Sequence, residues 1–321
     1  MTSWRGWFTG LIIAAALVGA VLHWGELANF VTLVRRAEPG WLIAALLLQF
    51  STYAAVATGW RLVIIRSEGK RYRMMPLIRI ALSKLFADQA LPTAGMGGNV
   101  LLVDQLMTLG ASRGTAVAAL LISMLGFYVS YMLFALVTLL LLWLHGHATS
   151  LMVGLITTFV LVAIAIPALA LWLRARGGMP LPPTIENIRP IRRLLETVGQ
   201  APANLLRDRT LLLQLMMCNA AVFAADSATL YACLRSLGIE SAPSTPLIAF
   251  ILASITATLG PIPLGLGSFE LVSASTLHLL GVSFEGAIAA TFMLRVLTLW
   301  LPLIPGVVLM RRFAASGRGR S

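Results

Sequence analysis

The chain is 321 residues long, 59% hydrophobic and only 11% charged, with a mean hydropathy of +0.89. That composition excludes a soluble globular domain and fits a polytopic helical membrane protein. The net charge is +12, from 22 Arg and two Lys against 12 acids. These cations sit between apolar runs, which the positive-inside bias explains without nucleic acid as a partner.

Taken in chain order, Arg5 and the apolar run from Trp7 to Trp24 read as an uncleaved first span. The run is long for a signal peptide and no small-residue cleavage site follows it. Full-length apolar spans fall near 7–25, 40–65, 114–144, 149–173, 210–236 and 284–310, each with the ~20 residues a crossing needs. Two further apolar segments, near 76–110 and 244–282, are each cut by Pro and Gly. Their halves are short for a crossing, so each is expected to be a re-entrant helical hairpin; one kinked helix or two tilted spans are the alternatives. The segment at about 175–209 is polar, with Pro180, Pro182, Pro183 and Pro190 beside Arg189, Arg192 and Arg193. It reads either as a cytoplasmic linker with a short amphipathic helix on anionic headgroups or as a plain solvated loop. The expected fold is all-α, a single integral membrane domain over 1–321 with about six spans and two re-entrant hairpins.

Charge placement orients it. Arg5, then Arg66, Lys70, Arg71 and Arg73, then Arg113, the run from Arg174 to Arg209, and Arg311, Arg312, Arg318 and Arg320 all fall on the cytoplasmic side with both termini. Arg35, Arg36 and Arg235 fall outside, near Glu26, Glu38 and Glu240. The first hairpin then enters from the cytoplasm and the second from the outside, so that 40–144 and 210–310 form an inverted repeat.

The two breaks are Leu91-Pro92-Thr93-Ala94-Gly95-Met96-Gly97-Gly98-Asn99 and Ile262-Pro263-Leu264-Gly265-Leu266-Gly267-Ser268-Phe269-Glu270. Pro92 lies 18 positions before Gly110 (110 − 92), and Pro263 lies 18 before Gly281 (281 − 263). A single offset of 171 (263 − 92) also matches Leu106 with Leu277 and Ala116 with Ala287. Paired interrupted segments in corresponding halves point to a transporter's binding site. Irregular backbone at membrane depth must be buried in protein or line a wet cavity. A half-helix is expected to start after each break, near Asn99 and near Ser268, with its free N–H groups and positive dipole end toward the bilayer centre. That makes an anion site suited to a phosphate. Pro92, Gly95, Gly97, Gly98, Asn99, Pro263, Gly265, Gly267 and Ser268 are the candidate backbone contacts; tight helix packing is the other use for such glycines.

Ionisable residues within spans are costly, ~2.5–3.5 kcal/mol each at the helix centre. Here they are Lys84, Asp88, Asp104, Asp226, Glu270 and Arg295. Lys84 and Asp88 are spaced to neutralise each other along one helix. Arg295 has no acid within a turn, and Glu270 is its expected partner, or an anionic ligand. Asp226 is either a coupling carboxylate or hydrogen-bonded to a neighbouring helix. No catalytic or metal motif is present, and His145 and His147 are a weak metal signal, so neither cofactor nor metal is expected and the chain is not expected to be an enzyme.

The two breaks, the stretch Gly265-Leu266-Gly267-Ser268-Phe269-Glu270, the following Gly281 and the mid-span Arg295 resemble the lysylphosphatidylglycerol synthase transmembrane (flippase-like) family over roughly 7–312. The resemblance implies a membrane module that moves lipids between leaflets. It carries Pro263, Gly265, Gly267, Glu270, Arg295, Pro92 and Gly98 over as functional positions. Asn99 stands where an acid is usual, which weakens a carboxylate contribution from the first half. The soluble aminoacyl-transferase domain of some members has no counterpart in this sequence, so lysylphosphatidylglycerol synthesis is not implied. The expected function is a flippase-like transporter of an anionic or polyprenyl-type lipid in a bacterial inner membrane. The alternative is an accessory protein presenting a lipid to a partner glycosyl- or acyl-transferase.

Overall fold

A computed structural model describes residues 37–90, 96–175, 205, 208–260 and 265–302. Among these residues the chain is helical and contains no strand. Its helices are α1 (Pro39–Glu68), α2 (Met74–Ala90), α3 (Met96–Thr108), α4 (Arg113–Leu144), α5 (Ser150–Ala175), α6 (Arg209–Ser236), α7 (Ser244–Leu259), α8 (Ser268–Leu279) and α9 (Phe284–Arg295), the last running into a π-helical turn over Val296–Trp300. Among the described residues α1, α4 and α6 are long and apolar enough to cross a membrane, and α5 is apolar over Ser150–Ile166. The expected span at 7–25, most of the 175–209 segment and the end of the 284–310 span lie outside the described residues. So do Pro92, Gly95 and Pro263.

Local chemistry sets the helix ends. Pro39 opens α1 at a position that needs no N–H. The side chains of Asp208 and Ser112 accept the Leu211 and Thr115 N–H groups at 3.1 and 3.3 Å and so cap α6 and α4.

The turn that follows each hairpin is built twice from the same parts. The Ala111 N–H donates to Leu106 O, and the Val282 N–H donates to Leu277 O, at 3.1 and 3.0 Å. Gly110 and Gly281, at φ 97° and 94°, take the left-handed position that ends the half-helix. Two residues on, Ser112 and Ser283 each accept the N–H three positions later, from Thr115 and Gly286, and start the next helix. The 171-residue offset read from the sequence therefore survives as a repeated backbone device.

α1 and α6 pack antiparallel. Glu38 N–H donates to Ser236 O at 2.8 Å, Trp41 meets Tyr231 edge-on, Gln49 meets Asp226, and Gly59 faces Leu215 and Cys218. α4 runs parallel to α6: Gly126 faces Leu215, the Ser130 hydroxyl donates to Met216 O at 2.7 Å, and Phe134 packs on Phe223.

The bundle therefore has two chemically different ends. One gathers Arg66, salt-bridged to Asp208 at 3.1 Å, and Lys70, salt-bridged to Glu68 at 3.1 Å. Both feet of the α2–α3 hairpin stand there, since Glu68 also accepts the Ser112 N–H at 2.7 Å and Lys70 reaches Gly110 O at 3.4 Å. The other end holds the Glu38–Ser236 contact and the Arg235–Glu240 pair at 3.1 Å. There both feet of the α7–α8 hairpin line a cavity of about 340 Å³ with His145, His147 and Glu240. The hairpin arms are 17, 13, 16 and 12 residues long. At 1.5 Å per residue these are ~25, ~20, ~24 and ~18 Å, short of the ~30 Å hydrocarbon core.

Two buried clusters match the two ends. One joins α2 and α3 to the last part of α1 and the first turns of α4 and α6, through Trp60, Leu77, Leu102, Ile122 and Leu211. The other joins α7 and α8 to the far halves of α4 and α6 and to α5, through Tyr131, Phe159, Leu230, Ile251 and Leu277.

Because the two glycines serve one turn, Gly110→Ala and Gly281→Ala should destabilise the protein by similar amounts, ~1–2 kcal/mol each for left-handed strain. Thermal unfolding of the purified protein in detergent measures both. A large loss from one with none from the other would contradict the shared role.

Candidate functional site

The second break ends in a short turn in which Gly265 and Gly267 adopt φ 61° and 84°, and α8 begins at Ser268. The Ser268 hydroxyl donates to Gly265 O at 3.1 Å. Glu270, in the first turn of α8, uses its two oxygens separately. Oε2 accepts the Gly267 N–H at 2.7 Å, which answers one open donor of the helix start. Oε1 accepts from Arg295 Nε at 2.5 Å. Arg295 is the last residue of α9 and is 8% exposed. Its guanidinium carbon lies 4.8 Å from the centre of the Phe269 ring, a geometry in which ring and cation attract. The π-helical turn begins immediately after it.

The first break is answered in the same way with different parts. α3 starts at Met96, three positions earlier than expected, which puts Gly97, Gly98 and Asn99 in its opening turn. Asp88, near the end of α2, accepts the Gly98 N–H through Oδ1 at 3.1 Å and pairs with Lys84 Nζ through Oδ2 at 2.6 Å. A Cβ on residue 98 would run into the Asp88 carboxylate, so a larger residue there would have to displace it. Asn99 is half-buried beside it.

The structure therefore differs from the sequence reading in one respect. The N–H groups of Gly98 and Gly267 do not stand free; each is held by a carboxylate, and each carboxylate is also held by a cation. The first half does supply a carboxylate, from the arm before the break rather than from position 99. The pairs are unequal. The Arg295 and Glu270 side chains are 10% and 18% exposed, against 25% for both Lys84 and Asp88, so the second pair is the more enclosed and depends more on its own partners.

Asp104 is exposed and takes no part. Asp226 lies apart from both breaks, bonded to Gln49 across the α1–α6 seam at 2.8 Å. His145 turns Nδ1 toward Leu141 O at 2.6 Å, and among the described residues no three His, Cys, Asp or Glu side chains converge on a metal position. Sequence reasoning passed over Phe269, the π-helical turn, Gln49 and Gln105. The Gln105 amide is buried in the first hairpin, and among the described residues neither its N nor its O finds a hydrogen-bond partner. A Gln within an apolar run was the available signal for the last two.

Helices long enough to span, with two broken hairpins between them, define an all-α integral membrane protein. The family model described as the lysylphosphatidylglycerol synthase TM region matches residues 7–306, and the chain belongs to that family. Membership implies a membrane protein related to lipid handling. No curated protein matches the chain.

Removing one member of the inner pair strands the other. Arg295→Met should cost ~3–5 kcal/mol, Lys84→Met clearly less, and Glu270→Gln with Arg295→Met together less than the sum of the two. Unfolding midpoints of the single and double variants in detergent check this; strict additivity would contradict the pairing.

Proposed function

We propose that this chain moves an anionic or polyprenyl-type lipid between the leaflets of a bacterial inner membrane by alternating access, and that it is not itself an enzyme. Both termini and the basic end of the bundle face the cytoplasm. The α2–α3 and α7–α8 hairpins are the re-entrant elements of an inverted repeat. The arrangement that carries the reading is the pair of half-helix starts at the tips of the two hairpins, each closed by a carboxylate that is bound to a cation.

The chemistry follows from what those carboxylates touch. A phosphate carries the same kind of oxygens as Glu270 and fits the same donors, the Gly267 N–H and the Arg295 guanidinium. A headgroup therefore enters by exchanging with Glu270, and leaves when Glu270 returns. The apolar side chains beside the pair are open to the membrane, with Leu271 68%, Val296 51% and Trp300 56% exposed. Acyl chains stay in the bilayer while the headgroup crosses. The second copy, with its better buried cation, is the stronger headgroup site. Anionic lipids also contact the basic segment at 175–209.

The reading is tested in vesicles of phosphatidylethanolamine and phosphatidylglycerol by following fluorescent phosphatidylglycerol between leaflets. The wild-type chain should accelerate exchange, and Arg295→Ala and Glu270→Gln should each remove most of it. Unchanged exchange in both variants contradicts the mechanism. No exchange by the wild type, together with a co-purifying glycosyl- or acyl-transferase, replaces the reading with that of an accessory protein.

A further inference from the structure

The Asp226 carboxylate is a charge that the headgroup site does not use. It lies 10 residues before the end of α6 (236 − 226), ~15 Å along the axis, which is mid-depth for a ~30 Å hydrocarbon core. It sits where α6 crosses α1, the corresponding helices of the two halves. Gln49 of α1 donates through Nε2 to Asp226 Oδ1 at 2.8 Å and to Thr229 Oγ1 at 3.0 Å, and the Thr229 hydroxyl donates to Ala225 O at 2.7 Å. Tyr53, one turn beyond Gln49 on the same face of α1, is the titratable neighbour from that helix. α4 carries Tyr128 and Tyr131 in its middle, α7 no titratable residue, and α9 Glu285 and Arg295; among the described residues none of these hydrogen-bonds or ion-pairs with Asp226, and Arg295 pairs with Glu270.

A half-buried carboxylate at mid-depth, held by one neutral amide, is costly and marks a functional position. The neighbours do not form the cage of six or more oxygens that a hard metal cation takes. A proton needs no cage. We propose that Asp226 is a proton-binding site at the seam between the two halves, loaded from water on one side and unloaded on the other as the seam rocks. The O–H bond forms with a proton from bulk water and breaks by returning it to bulk water, so one proton crosses per cycle with no other reactant. Gln49, which reaches from the opposite half, is the positioning residue that ties the protonation state to the seam. The inference rests on the transporter reading for its purpose, but not for its measurement.

Two readouts separate them. Infrared difference spectra of the reconstituted wild-type protein should show a protonated-carboxyl band that titrates with pH, is missing in Asp226→Asn and returns, shifted, in Asp226→Glu. In vesicles, a pH gradient should bias the leaflet distribution of fluorescent phosphatidylglycerol for the wild type and not for Asp226→Asn, while exchange without a gradient persists. A carboxyl band that is absent, or that stays constant across the pH range, overturns the proton site whether or not lipid moves. A bias that follows a sodium gradient and ignores pH overturns it as well. A titrating band in a protein that exchanges no lipid supports the site and removes the transporter reading.

Discussion

A helix that breaks inside an apolar run leaves N–H groups open at the start of its second half, and the rest of this structure is arranged around how those groups are answered. Each break is answered by a carboxylate. A carboxylate in that position is itself a buried charge, so each has brought a cation with it. Glu270 and Arg295, and Asp88 and Lys84, are thus consequences of the broken backbone rather than independent ion pairs. The long helices α1, α4 and α6 complete their own hydrogen bonds, and they supply the frame against which the short, broken ones pack.

This solution carries the means of its own reversal. A side-chain carboxylate on a helix start can be replaced there by any other anion of similar size, because the donors recognise oxygen and charge. An apolar plug would hold the turn as well and exchange for nothing. The two hairpins are built on one plan, down to the Gly110 and Gly281 turns, but are tuned differently. Asp88 and Lys84 share a helix one turn apart, while Glu270 and Arg295 come from two helices, so only the second pair ties its hairpin to a neighbour. α1 and α6 meet between the ends through Gln49, which bonds both Asp226 and Thr229, a polar contact within a largely apolar seam.

Much of the architecture was legible because it rests on composition and on a repeat. The apolar runs gave helix ends within a few residues, as with α4 at Arg113–Leu144 and α6 at Arg209–Ser236, since hydrophobic length and local caps decide them. The offset of 171 located turns that proved to share hydrogen bonds. The Glu270–Arg295 pair was legible because a mid-span arginine needs an acid and few were on offer. The Asp88–Gly98 contact was not, because it depends on the angle at which α2 and α3 fold back, and an acid ten positions before its partner leaves no periodic mark. The cation's place over Phe269 and the π-helical turn after Arg295 were hidden for the same reason: both are products of packing, not of spacing.

The central claim is that lipid headgroups exchange with the carboxylates at the two half-helix starts. Photo-crosslinking with phosphatidylglycerol that carries a photoactivatable headgroup, followed by mass spectrometry of the peptides, tests it most directly. The account predicts adducts at 96–99 and 265–271, stronger at the second stretch and lost there in Arg295→Ala. Adducts confined to the lipid-facing sides of α1, α4 and α5, unchanged by Arg295→Ala, would contradict it.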